Sequence, residues 1–190
     1  MSPSEAQEYI AYFIDEVVMP RANPLPGVPP ELRGTWSSAD GWFSWIAVPS
    51  PVTEDDLDSL EKRVGAKLPT LFRAYFLYKL ILDGDFSLAS LPAMHPENPL
   101  AELESQIAIV TDCSWLSEQS FLPIGQDGND GGPICFKTVE PTPTGDYPIY
   151  FADHERLGDL NYAGERRWTS FAELLYSIEA DILAYDQLSR

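Results

Sequence analysis

A chain of 190 residues with 44 % hydrophobic and 12 % aromatic content has enough apolar side chain to bury a full core, which argues for one folded domain and against intrinsic disorder. Thirty acidic residues against twelve basic ones give a formal net charge of −18, so nucleic acid, heparin and anionic membranes would repel it, whereas a basic protein would be steered toward it. No stretch approaches the roughly 20 apolar residues that span a bilayer, and the N-terminal MSPSEAQEYI lacks the basic segment of a secretory signal, so a cytoplasmic location is expected. In such a reducing compartment the two cysteines, Cys113 and Cys135, are expected as buried free thiols.

The first periodic stretch is residues 4–19, where Tyr9, Ile10, Phe13, Ile14, Val17 and Val18 recur at helical spacing, Ser4 and Gln7 form a capping pair, and Pro20 ends the helix. PRANPLPGVPPELRG follows; its prolines remove backbone donors and hold an extended, ordered connector. Residues 42–48, WFSWIAV, are aromatic and β-branched and stop at Pro49, which reads as a strand. In VTEDDLDSLEKRVGAKLP, Thr53 is an N-cap and Glu54, Asp55 and Asp56 load the first turn, where the helix dipole favours anions. Leu57, Leu60 and Val64 make one apolar stripe, and Gly65 supplies a left-handed stop, so these three and Leu68 are expected to be buried. Leu68-Pro69-Thr70 restarts the chain into a second helix, LFRAYFLYKLIL, ending near Asp83-Gly84-Asp85.

Residues 86–120 are mixed: SLASLPAMHP reads as a short strand plus loop, and NPLAELESQIAIV as a helix or as a helix followed by a strand. Three strand-like runs come next, at 121–125, 134–139 and 147–152, and their short connections favour an antiparallel meander. Ser170 and Glu173 cap FAELLYSIEADILAY, whose Phe171, Leu174, Leu175, Ile178, Ile182 and Tyr185 form a wide core-facing side. Helices flanking a mostly antiparallel sheet define an α+β fold, with an N-terminal helix and Pro-rich extension (residues 1–41) packed on a domain of residues 42–190.

The Gly-rich stretch QDGNDGG tests for bound ligands. With Asp127 as the first position of a calcium loop, Asn129 and Gly132 fit the third and sixth, but the fifth and twelfth fall on Gly131 and Thr138, which argues against calcium. A phosphate cradle opens onto a helix N-terminus, and this segment opens onto a strand while carrying two carboxylates, so a hairpin connection is the reading that fits. Zinc is disfavoured because the two cysteines and two histidines have no C-x-x-C or H-x-x-x-H spacing. The one nucleophilic arrangement that can be assembled is Cys135 with Asp153 and His154. Trp36, Trp42, Phe43 and Trp45 fit either core packing or a binding platform.

PVTEDDLDSLEKRVGAKLPTLFRAYF resembles the signature of the SUKH superfamily, the bacterial toxin-immunity proteins that also include yeast Knr-type cell-wall regulators. FLPIGQDGNDGGPICF, YPIYFADHE and TSFAELL resemble its later blocks, in the same order, so that the resemblance runs from about residue 45 to 175. The chain departs from the pattern in carrying Asp83-Gly84-Asp85 where an Asn-Gly-Gly-like turn is usual, and in the length of residues 1–41. The resemblance implies a single SUKH-like domain that is not an enzyme and uses no cofactor. It implies an immunity protein that binds and neutralises a cognate secreted polymorphic toxin, in many cases a nuclease, by stoichiometric contact. A regulatory scaffold of the Knr kind is the alternative, and a small Cys/His hydrolase a third. Residues 80–155 hold thirteen acids and one base, Lys137, so the sheet half should present a nearly one-sign field to a basic toxin. The candidate contacts are Asp83, Asp85, Asp127, Asp130, Asp153 and Glu155.

Overall fold

A computed structural model describes residues 1–129, 132–159 and 161–188. Helix α1 (Pro3–Tyr12) starts earlier than Ser4, because Pro3 has the φ of a first helical position and Ser2 is the cap. The Glu5 carboxylate accepts the Ser2 N–H at 2.7 Å, and Glu5 donates its own N–H to Ser2 Oγ, so the capping box is Ser2/Glu5 rather than Ser4/Gln7. The helix widens into a π turn, Phe13–Val18, with Phe13, Ile14, Val17 and Val18 all buried, then tightens into a 3₁₀ turn, Met19–Arg21, that carries Pro20.

The proline-rich connector is ordered and supplies two strands that its composition conceals. β1 (Leu25–Pro26) and β2 (Arg33–Ser37) flank β3 (Trp42–Trp45) in the order β1-β3-β2, both antiparallel to it. Pro26 is tolerated because β1 is an edge, where a missing donor breaks no ladder. The aromatic cluster divides here: Trp45 is buried and donates its indole N–H to the Asn23 carbonyl at 3.1 Å, whereas Trp36 and Trp42 are 50 % and 45 % exposed.

α2 (Glu54–Val64) follows its sequence signals closely. Thr53 Oγ1 accepts the Asp56 N–H at 3.2 Å while the Asp56 carboxylate accepts the Thr53 N–H at 2.9 Å. Leu57, Leu60 and Leu68 are buried, and Val64 is half-buried. Gly65 takes φ +70° as the stop, and a Cβ there would meet no atom within 4 Å. Its penalty is therefore backbone strain alone: Gly65→Val is expected to lower the unfolding free energy by about 1 kcal/mol, read from the denaturant midpoint. An unchanged midpoint would show that the left-handed stop is dispensable.

α3 (Thr70–Tyr78) ends before the Asp83-Gly84-Asp85 turn. Leu80 donates its N–H to the Val48 carbonyl at 2.8 Å and Ser50 donates to the Tyr78 carbonyl at 3.1 Å, so the segment leaves the helix to ladder against the chain that follows β3. Leu80, Ile81 and Leu82 are all buried, which suits an apolar run enclosed on every side better than one stripe of a helix. In the region of mixed signal the chain forms β4 (Asp85–Phe86), β5 (Ala89–Ser90), α4 (Ala101–Asp112) and the short α5 (Ser114–Glu118).

β6 (Phe121–Asp127), β7 (Pro133–Lys137), β8 (Ile149–Phe151) and β9 (Glu165–Trp168) complete a six-stranded meander in the order β4-β5-β6-β7-β8-β9, each neighbour antiparallel. The architecture is α+β. Alternation on β7 separates two cores, with Ile134 and Phe136 facing the main one and Cys135 a smaller cluster of Trp115, Leu116, Phe121, Ala152 and Tyr162. The main core also takes Ala6, Ile10, Phe13 and Ile14, so the N-terminal segment shares one interior with the rest of the molecule. Asp15 fastens it further, accepting hydrogen bonds from Tyr78 Oη at 2.7 Å and from Lys79 Nζ at 2.7 and 2.9 Å.

α6 (Phe171–Leu188) closes the chain. Ser170 Oγ accepts the Glu173 N–H at 3.1 Å, and the Glu173 carboxylate reaches back to the Thr169 N–H at 2.6 Å, one residue before the expected partner. Burial along α6 stops at Ile178: Ile182 is half-buried and Tyr185, expected on the core face, is 72 % exposed. Beyond Ile182, which still packs against the main core, no residue of the helix is buried.

Candidate protein-binding surface

Strand pairing draws Asp85, Asp127, Asp153 and Glu155 toward one end of the large sheet, while Asp83 lies farther back along its edge. Ala89 lies opposite Asp127 and Ile134 opposite Phe151, so the β4–β5 turn, the β6–β7 connection and the end of β8 converge. Gly128 donates its N–H to the Leu88 carbonyl at 3.2 Å, Asp127 donates to the Gly132 carbonyl at 2.8 Å, and Ala152 donates to the Pro133 carbonyl at 2.9 Å. Gly132 allows this closeness, since a Cβ would sit 2.6 Å from the Phe151 ring. QDGNDGG thus joins two paired strands as a hairpin; its Asp130 and Gly131 lie outside the described residues.

The candidate carboxylates differ in what they offer a partner. Asp85 and Glu155 are exposed, and Asp83 and Asp153 half-buried. Asp83 Oδ1 accepts the Asp85 N–H at 3.0 Å, Asp85 Oδ1 accepts Ser90 Oγ at 2.7 Å, and Asp153 Oδ1 accepts the Glu155 N–H at 2.9 Å. These neutral donors hold the carboxylates in place without cancelling their charge. Asp127 is only 7 % exposed, and its carboxylate accepts the Asn129 N–H at 3.1 Å, so it shapes the turn.

The nearly one-sign field expected of the sheet half needs correction. Beyond residue 155 the chain carries Arg156, Arg166 and Arg167, and ERRW has no apolar alternation to mark it as a strand. The fold adds that strand beside β8: Arg166 lies opposite Tyr150, Arg167 stands 5.2 Å from the Phe151 ring centre and ion-pairs with Glu165 at 3.2 Å, and Arg156 stands 4.2 Å from the Tyr162 ring centre. Charges on a sheet edge also deter strand addition. The β8–β9 side is thus mixed in sign, with Arg156 also ion-paired to Asp159 at 3.4 Å, whereas the β4 side carries Asp83, Asp85 and Asp181 of α6, which accepts a hydrogen bond from Ser87 Oγ.

The nucleophilic arrangement is not assembled. Cys135 is fully buried in the smaller cluster, and desolvation pushes its thiol well above the ordinary range, whereas His154 is exposed on a 3₁₀ turn, His154–Arg156. Both cysteines are free, with Cys113 half-buried rather than buried. Among the described residues no group of three or more His, Cys, Asp or Glu side chains is placed to hold a metal, and no helix is long and apolar enough to cross a membrane.

Residues 51–177 match the model of the SMI1 / KNR4 family (SUKH-1). No curated protein matches the chain significantly.

Proposed function

The chain belongs to the SMI1 / KNR4 family (SUKH-1), and from that premise we propose that it is a cytoplasmic immunity protein that neutralises a cognate polymorphic toxin by stoichiometric binding. The observation that carries the reading is the gathering, at one end of the sheet, of carboxylates on turns that the core does not need. Asp85 lies on β4 with Asp83 just before it, and Asp153 and Glu155 follow β8. A toxin that acts on nucleic acid carries a basic cleft, and an acidic surface occupies such a cleft as the phosphate backbone does, with charge-steered association. The buried state of Cys135 favours binding over hydrolysis.

The test is co-expression of candidate toxin domains from the neighbouring genes, with and without this protein. Survival only in its presence is the expected outcome, and the purified pair should associate more slowly as salt rises while dissociation changes less. Equal killing with and without the protein would refute the reading.

A further inference from the structure

The last turns of α6 face the rest of the molecule across a groove of about 820 Å³, within the range of pockets that enclose several side chains. The opposite walls are the turn that follows α1, Trp45 of β3, and β4 with the turn after it. Only Asp83, Asp85, Phe86 and Ser87 of the lining fall within residues 51–177; every other lining residue precedes or follows the family-matched segment. The groove is thus built mainly from what this chain adds to the shared domain, which is where recognition particular to this protein has room to arise.

Its floor and rim have different chemistry. Val18, Trp45 and Phe86 are buried apolar side chains at its base, while Leu188 stands 87 % exposed at its edge. Arg21 is the cation in the lining and is already engaged, with Nε on Asp186 at 2.6 Å and a guanidinium N–H on each of the Glu16 and Val17 carbonyls at 3.0 and 2.8 Å. Asp83, Asp85 and Asp181 have no ion-pair partner among the described residues; neutral donors hold them instead. An apolar ligand would leave these three charges without a counter-ion, and a small cation would leave the apolar floor wet. A lysine or arginine beside a large apolar side chain satisfies both.

We infer that this groove is the partner-specific docking site of the chain, and that its occupant is a surface segment of a protein presenting a basic residue next to a large apolar one. Where that protein is taken to be a toxin, the inference rests on the function proposed above; the complementarity of the groove does not. Tight binding of this kind concentrates in a few anchoring side chains, and the groove is the place for them, whereas Asp153 and Glu155 sit on the arginine-bearing side of the sheet.

Two probes separate the possibilities. The first is a short labelled peptide alternating leucine and lysine, with a version carrying glutamate for lysine as control, titrated by fluorescence anisotropy. The lysine peptide should bind, the glutamate peptide should not, and Asp85→Lys, Asp181→Lys and Leu188→Asp should each weaken binding about tenfold, with Glu118→Lys, at the exposed end of α5 and outside the groove lining, changing it less than about twofold. Asp181→Lys also removes the bond from Ser87, so Asp85→Lys and Leu188→Asp, verified as folded by circular dichroism, decide the matter if that variant unfolds. The second probe is the candidate toxin domain of the co-expression test, for which the groove variants should lose protection while Glu118→Lys retains it. Equal binding of both peptides, binding of neither, or groove variants that bind and protect as wild type does would overturn the inference. Wild type that binds the lysine peptide through the groove yet fails to protect would remove the toxin and leave the groove standing.

Discussion

Phe72→Ala is expected to lower the unfolding free energy by about 3–5 kcal/mol. The ring is fully buried and sits where three elements meet: it lies edge-on to Phe76 of its own helix at 5.2 Å between centroids, to Phe136 of β7 at 5.2 Å and to Phe171 of α6 at 5.0 Å. Removing it takes away the transfer free energy of a phenyl group and leaves a cavity walled by other rings, which cannot tilt inward without giving up their own edge contacts. Chemical denaturation followed by far-ultraviolet circular dichroism is the measurement. A loss under about 1 kcal/mol would mean that neighbouring rings repack and that Phe72 does not tie helix to sheet.

Glu61→Ala is expected to cost about 3 kcal/mol, which is large for a charged residue on a helix whose ends are signalled so plainly. Glu61 is 5 % exposed, and its carboxylate accepts hydrogen bonds from the Leu68 N–H at 2.8 Å, from Arg73 at 2.8 Å and from Lys67 at 2.6 Å. The alanine variant would strand a buried N–H at the restart of the chain and deprive Arg73 of its most buried partner, although Asp58, at 2.9 Å, and Glu54 would remain. Burial alone would raise this carboxyl, yet Lys67, the Leu68 N–H and Arg73 together hold it below the ordinary glutamate value. A carboxyl depressed in the folded state contributes its stability above the unfolded value, about 4.3 for glutamate, and loses it as the pH falls through the folded value. The gap between wild type and Glu61→Ala should therefore be full at neutral pH and narrow on acidification below that point. A gap independent of pH would show that Glu61 acts by packing rather than by charge.

These two predictions concern the frame that presents the acidic turns. β7 carries Phe136 toward Phe72 and Cys135 to the opposite face, so the same alternation that builds the core aligns the connection beside it. Arg73 joins α3 to α2, and the chain continues from α3 through the buried Leu80–Leu82 segment to Asp83 and Asp85. Charge reversals on the exposed turns should leave this frame intact, which is what makes them usable in the binding tests.

Local rules account for much of what the residues announce by themselves. Thr53, the three acids after it and Gly65 delimit α2 because capping and the left-handed stop are decided within a few residues of chain. The runs around β6, β7 and β8 are legible because each buries side chains on a sheet face, and the four blocks from PVTEDDL to TSFAELL carry the family resemblance in order. Net charge is additive along a chain, so an acidic protein suited to a basic partner is also evident without a fold.

What only the tertiary structure decided depends on neighbours distant in sequence. β1, β2 and β9 are edge strands held by ladders to a partner rather than by their own hydrophobic pattern, and PRANPLPG and ERRW therefore gave no strand signal. α3 stops at Tyr78 because the chain after Trp45 offers hydrogen bonds that the helix would otherwise make. Tyr185 keeps helical spacing with Ile178 and Ile182 yet is 72 % exposed, since periodicity states which side chains share a face and says nothing of where the core ends. Asp83, Asp85 and Asp181 form one rim although almost a hundred residues intervene, and β9 sets Arg166 and Arg167 beside β8. Charge is a property of composition, but a field at a surface depends on which charges the fold brings within a Debye length of one another.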